Sequence, residues 1–461
     1  MLLNNQNFIK MKSKITLFVT TFLLLNGLFT FAQTNPAITK WLQNTTIKGR
    51  HYVQGNSTVI TDTTTANVQK VQYSSSWVYV STQGVPTYVT GPFLGGNPSL
   101  ASAQNAIYRI SLNPVKNTGT ATATAFGTIG IFINGVAMFD WRDGVSWNPS
   151  TNNICGGPGN AMCPGGILSW NRDAVYAERG GFDCAKAHPA MGYYHHHQNP
   201  TAFNLDKVVI STICTLYNAD GLYKIDSTKH SPLIGYAADG FPVYGAYGYK
   251  NLDGTGGIVR MKSSYKLSDT RATGVTTTSG PAVSTTYPLG YFKEDYIFTS
   301  PSASATDSLN INNGRVCVTP EYPNGIFCYF ATVDANWNSA FPYLIGPTYY
   351  GTVTGSKVTS IIETVATYTT TATADIHEKG LDVTIFPNPP NDILAIQAPQ
   401  AEAYDRKVEL ISLDGKILQT NTLYQGSTIT YLDIRTVYGG VYMVKVSAGQ
   451  SVKTTKVVIA N

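Results

Sequence analysis

The stretch "TATATAFGTIGIFINGVAMFDW", Thr120 to Trp141, decides the fold. Small and apolar residues alternate along it, and the alternation breaks at Asn134-Gly135. That dipeptide accepts the positive φ angles of a tight hairpin, so the stretch reads as two strands around a turn. The same pattern recurs outward in both directions. "QYSSSWVYVSTQGVPTYVTGPF" (72–93) alternates and breaks at glycine and proline, while "DKVVISTICTLYNADGLYKID" (206–226) and "GYAADGFPVYGAYGY" (235–249) carry Asp-Gly turns between apolar alternations. No long stretch holds a helical apolar period free of glycine and proline. One short helix is expected from Arg172 to Arg179. The fold class is therefore all-β, with residues 33–355 forming a large antiparallel β-sandwich-like main domain.

Composition agrees. The chain has 461 residues, of which 43% are hydrophobic and 11% aromatic, enough to build a core. Charged residues are 13%, about half the usual share. The net charge of +5 is spread without a basic run, which leaves no footprint for nucleic acid.

The first residues carry a different message. "KMKSKITLFVTTFLLLNGLFTFAQT" (10–34) has lysines, an apolar run and a small-residue exit at Phe31-Ala32-Gln33. This is the pattern of a secretory signal peptide covering residues 1–32. No later stretch is apolar enough to form a transmembrane segment. Six cysteines follow, an even number that in an exported chain suggests disulfides. Pairing of neighbours gives Cys155–Cys163, Cys184–Cys214 and Cys317–Cys328. The last pair sits in "RVCVTPEYPNGIFCYFATV", where a wide loop from Pro320 to Gly325 sets the two cysteines opposite each other.

Beyond 355 the chain changes. Residues 356–380 are threonine- and alanine-rich in their second half and read as a linker, the first part of which can form a last strand. Residues 381–461 hold period-2 strands with an Asp-Gly turn and a Gly-Gly break. About 80 residues of this kind make a small C-terminal Ig-like β-sandwich.

"GYYHHHQNP" (192–200) concentrates three of the seven histidines. On an extended chain His195 and His197 share one face and His196 takes the other. Two imidazoles two residues apart, with Cα atoms roughly 6.5–7 Å from each other, can converge on one metal. His188 lies seven residues upstream, and Pro189 and Gly192 let the chain fold back. Asp173, Glu178 and Asp183 cluster before it, and Tyr193 and Tyr194 flank it. A third histidine and a carboxylate complete a zinc or copper shell, so the expected metal ligands are His188, His195 and His197.

Two resemblances follow from quoted motifs. "IFPNPPND", "SLDGK" and "LDI…YGGVYMVKV", in that order through 381–461, resemble the C-terminal sorting domain of the type IX secretion system. This implies the secretion machinery as a partner and export across both membranes to the cell surface or medium. Tyr194-His195-His196-His197 resembles the motif of the YHYH family, with His196 where a second tyrosine usually stands. The likeness extends through "FDCAKAHP", "HSPLIGYAADGFPVYG", "NNGRVCVTPEYPNGIFCYFAT" and "FPYLIGPTYYG", roughly 140–352. It implies a fold unit and a site, but no reaction or substrate.

Among the remaining polar residues of these motifs, Asp239 reads as a turn former and His230 as a loop histidine. Glu321 reads as either a solvated carboxylate or a ligand, and Arg315 as a partner for a carboxylate or an anion. His51 and His377 are remote. No nucleophile elbow, phosphate loop or H-E-x-x-H is present. Two functions remain open: a metal-dependent enzyme on an extracellular substrate, or a non-catalytic binding or adhesion module with a structural metal.

Overall fold

A computed structural model describes residues 35–94, 99–124, 126–157, 170–209, 212–215, 221–271, 280–369, 381, 383–386, 392–398, 405–448 and 451–459. The expected signal peptide, Cys163 and His377 lie outside the described residues. The chain divides into two compact units, Met1–Thr369 and Thr370–Asn461.

The Asn134-Gly135 hairpin forms as its sequence dictates. Strands Thr128–Phe132 and Ala137–Phe139 pair antiparallel, with Ile131 opposite Ala137. Gly135 has φ +81°, and a Cβ there would sit 2.1 Å from Thr82 Oγ1, so both backbone and space demand glycine. This hairpin is the centre of an eight-stranded sheet. Its order is His188–Ala190, Tyr193–His196, Ala137–Phe139, Thr128–Phe132, Leu233–Ala237, Pro242–Tyr244, Ile326–Phe330, Gly314–Cys317. Neighbours run antiparallel except at two joins, Tyr193–His196 with Ala137–Phe139 and Pro242–Tyr244 with Ile326–Phe330.

Both faces of this sheet are buried, and strand alternation divides the side chains between them. Ile131, Tyr236, Tyr244, Cys328 and Phe330 pack against Val71, Val78, Val80, Tyr108 and Ile110. Those partners belong to a second, five-stranded antiparallel sheet, ordered Ser356–Val358, Ala106–Ser111, Trp77–Thr82, Val68–Tyr73, Ala366–Tyr368. On the other face Ile129, Phe132, Ile234, Val243, Phe327 and Tyr329 pack with Leu344, Ile345 and Tyr349. Each such side chain contributes about 1.5–3 kcal/mol by leaving water, so this double-sided sheet is the stiffest base the unit has for holding a site.

Several features differ from the sequence reading. Residues 356–369, read as a linker whose first part can form a last strand, carry two edge strands of the five-stranded sheet. Val358 lies opposite Ile107, and Ala366 opposite Tyr73. The stretch 206–226 forms no strand among its described residues, only a 3₁₀ turn at Thr212–Thr215. Its backbone is satisfied from a distance instead: Lys207 N donates to Asn336 O and Val208 N to Asn338 Oδ1. The expected helix occupies Ala174–Glu178, followed by a 3₁₀ turn at Arg179–Gly181.

The cysteine expectations separate. Cys184–Cys214 is a disulfide with Cα atoms 5.2 Å apart. Cys155 is disulfide-bonded, and its expected partner Cys163 is outside the described residues. Cys317 and Cys328 are free, buried thiols, contrary to expectation. The connection between their strands is longer than the expected loop, so Cys317 pairs with Ile326 and Cys328 with Arg315. The two cysteines are diagonal neighbours on one face rather than directly opposite, with their thiols within hydrogen-bond reach of each other but unbonded.

Among its described residues the second unit has seven strands in two sheets. One sheet joins Thr384–Phe386, Ile393–Gln397 and Ile429–Asp433, and the other Ile417–Leu423, Arg406–Ser412, Gly440–Ala448 and Ser451–Ile459. Leu394, Ile396 and Leu432 from the first meet Val408, Leu410, Val444, Val446 and Val457 from the second in one core.

Candidate metal centre

His188 and His195 face each other across a tight hairpin. Strands His188–Ala190 and Tyr193–His196 pair with His188 opposite His195 and Ala190 opposite Tyr193. Only Met191 and Gly192 connect them, both with positive φ (+49° and +86°). A two-residue turn with both φ angles positive matches the right-handed twist of the strands, so the register has no freedom to slip. Two residues beyond His195, alternation returns His197 to the same side.

The structure brings His188, His195 and His197 together, with one ring nitrogen from each lying within 4.8 Å of the others. Their protonation is set by the backbone. His195 Nδ1 donates to Tyr193 O at 2.7 Å, and His197 Nδ1 donates to Asp140 O. A carbonyl oxygen accepts only, so both Nδ1 atoms carry hydrogen and both Nε2 atoms face inward. The two Nε2 atoms are 3.1 Å apart. Burial, then the neighbouring imidazoles of His197 and His188, push His195 well below its ordinary range, so its Nε2 presents a bare lone pair.

Glu178 enters from the short helix. Its Oε2 is 3.2 Å from His188 Nε2 and 3.2 Å from His197 Nε2. Glu178 Oε2 and His188 Nε2 are nevertheless buried atoms without hydrogen-bond geometry to any partner. Burial opposes the charge on Glu178, but the His188 and His197 imidazoles overcome it and hold the carboxyl below the ordinary carboxylate range. Burial likewise opposes charge on His197, and the Glu178 carboxylate overcomes it, raising that imidazole.

Asp173 and Asp183 serve as braces. Asp173 caps the helix, accepting from Tyr176 N at 3.0 Å and from Tyr343 OH at 2.7 Å; burial lifts it to about 7. It therefore fixes the segment that delivers Glu178. Asp183 accepts from Tyr194 OH, Gly91 N, Ala185 N and Ala187 N, which fixes the loop leading into His188. Aromatic rings wall the cluster: Phe139 stacks on His195 with centroids 3.7 Å apart, and Phe182 meets His188 edge-on at 5.0 Å. Phe139 and the Asp140 carbonyl carried no local signal in the sequence, because they reach the histidines through a parallel join to a distant strand.

His196 points the other way. Its Nε2 is 2.7 Å from Tyr88 OH, its ring meets Phe132 edge-on, and burial pushes it down to about 3. Tyr193 OH hydrogen-bonds Tyr108 OH and lies 3.1 Å from Thr128 Oγ1. The other candidates are not at this centre. Asp239 braces its turn, accepting from Tyr329 OH and Gly351 N. Glu321 accepts from Tyr244 OH, and Arg315 is absorbed by the carbonyls of Lys250, Thr306 and Tyr249. His230 donates to Ser231 O, and His51 pairs with Asp62.

Imidazoles on and beside a strand of a buried sheet, in a chain that also carries a small β-sandwich, define the class: an all-β protein with a histidine centre and a separate C-terminal module. The chain belongs to the YHYH protein family, whose model matches residues 107–342, more than half of the 461. A second family model, the secretion system C-terminal sorting domain, matches residues 384–460. That domain marks the protein for type IX secretion to the cell surface or the extracellular space. Among the described residues no helix is long and apolar enough to cross a membrane. No curated protein matches the chain.

Proposed function

We propose that this secreted YHYH protein binds a divalent metal ion, zinc or copper, through His188, His195 and His197. The observation that carries the reading is the pair of inward Nε2 atoms 3.1 Å apart, each with its Nδ1 hydrogen committed to a backbone carbonyl. Two imidazole lone pairs this close repel unless a proton or a cation lies between them. A tetrahedral metal with bonds of 2.0–2.1 Å holds neighbouring nitrogens about 3.3 Å apart, close to the spacing here. When bound, such an ion supplies Lewis acidity or, if copper, redox chemistry. The chain's own residues orient the imidazoles, keep His195 neutral and exclude water with Phe139 and Phe182.

We read the centre as that of a metal-dependent enzyme on an extracellular substrate. Support comes from an exposed edge: the Glu178 side chain, though not its Oε2, is 26% exposed, against 3% for His197. The second reading is a binding or adhesion module with a structural metal, favoured by the burial of His195 and His197. Metal analysis of the secreted protein, followed by zinc and copper titration of the stripped form, tests the common ground. One ion per chain is expected. A protein that takes up neither metal contradicts both readings.

A further inference from the structure

Glu178 is neither a helix-surface carboxylate nor a plain ion-pair partner. Its Oε2 lies 3.2 Å from two of the three inward nitrogens, and the neighbouring His188 Nε2 lacks hydrogen-bond geometry to it. A carboxylate whose purpose was to pair with a charged imidazole would lie along an N–H direction. This oxygen instead stands beside two of the three nitrogens that could share an ion. Its delivery is also built in: Asp173 caps the helix, and Ala174 N donates to Trp141 O at 2.8 Å, tying the helix to the residue beside the Asp140 carbonyl that orients His197. His188 and His195 sit on strands of the buried sheet and His197 directly follows one of them, whereas Glu178 ends a five-residue helix and has the most exposed side chain of the four, its Oε2 being buried.

We propose, resting on the metal reading above, that Glu178 is the fourth ligand and the exchangeable one. It closes the shell in the resting protein and yields its position to an incoming oxygen or nitrogen donor from solvent, while the three histidines hold the ion. The class of ligand admitted is thus a small anionic or neutral donor that can replace a carboxylate. Exchange costs little backbone movement, because only the end of a short helix has to shift, and the sheet stays as it is.

The test uses the full secreted chain and its Glu178→Ala and Glu178→Gln variants, each stripped of metal and reloaded with zinc or with cobalt(II) as a spectroscopic stand-in. Outer-shell partners of metal ligands are commonly worth about 10–100-fold in affinity, so loss of a direct ligand should weaken zinc binding at least about tenfold in both variants. Azide is then titrated into the cobalt forms. The proposal expects azide to bind Glu178→Ala at a concentration at least about tenfold lower than it binds wild type, since the wild-type position is already filled. If zinc affinity and azide response are the same in wild type and both variants, Glu178 is not a ligand and the proposal is overturned while the histidine centre stands. If wild type takes up neither zinc nor cobalt, the reading beneath it falls and this one falls with it. An unchanged melting temperature of the metal-free variants, with Cys184–Cys214 intact, shows that any loss is at the site.

Discussion

Two hairpins of one sheet make the instructive comparison. In His188–His196 and in Gly314–Phe330, the sequence set two chemically reactive side chains on facing strands. In the first, His188 lies directly opposite His195. In the second, Cys317 lies opposite Ile326 and Cys328 opposite Arg315, two residues out of step, so both thiols stay free. The strands are equally buried, and the turns make the difference. Met191-Gly192 is a two-residue connection that admits one register, whereas Val318 to Gly325 is a long connection containing Pro320 and Pro323, which leaves register to the packing on either side. A short turn lets sequence specify which side chains meet, and a long one does not.

The comparison sharpens through substitution, starting with the largest effect. Cys184 and Cys214 do meet, and they anchor the loop that leads into His188. With a sequence separation of 30 between them, replacing both by alanine should cost about 3–4 kcal/mol of stability by loop entropy, read as a lower urea midpoint. An unchanged midpoint would mean that the Asp183 hydrogen bonds hold this loop alone. Next comes the turn that locks the histidines. At Gly192, φ is +86° and a Cβ would meet Ser102 Oγ at 2.2 Å. Gly192→Ala should therefore cost about 1–3 kcal/mol and weaken metal binding through its effect on register. A stable variant with full metal affinity would show that the turn does not set the site. The smallest effect belongs to the free thiols. Cys317→Ala with Cys328→Ala should cost less than the disulfide pair, about 1–2 kcal/mol for two small buried groups. Thiol labelling of the unfolded, unreduced wild-type chain should find both cysteines reactive. Protection at both positions would mean that they are bonded after all.

What was legible in the sequence follows the same physics. The Asn134-Gly135 hairpin, the Leu233–Ala237 and Pro242–Tyr244 pair, and the division of His195 and His197 from His196 rest on turns and alternation, which are local. The first of the edge strands in 356–369 was read as a last strand at the start of the linker, but the second was not legible, because its partner lies nearly 300 residues earlier in the chain. Neither was the parallel join that brings Phe139 and the Asp140 carbonyl to the histidines. Glu178 stood in the sequence only as one of three acidic residues. The helix cap and the hydrogen bonds of Asp183 distinguish it, because they leave Glu178 as the carboxylate directed at the imidazoles. The stretch 206–226 had the right alternation for strands, but among its described residues Lys207 and Val208 find their backbone partners in a loop and a side chain, so the local preference was overridden there.

The central claim is that one strand face holds the metal while the other builds the core. The direct test is zinc and copper titration of four single variants, His188→Ala, His195→Ala, His196→Ala and His197→Ala. The account predicts that His195→Ala and His197→Ala abolish binding and that His188→Ala weakens it severely. His196→Ala should bind nearly as wild type, its loss appearing as lowered stability because Tyr88 OH loses its partner. Equal losses at 195, 196 and 197 would contradict the account and mark an indiscriminate polyhistidine loop. No loss at any of them would make the cluster purely structural.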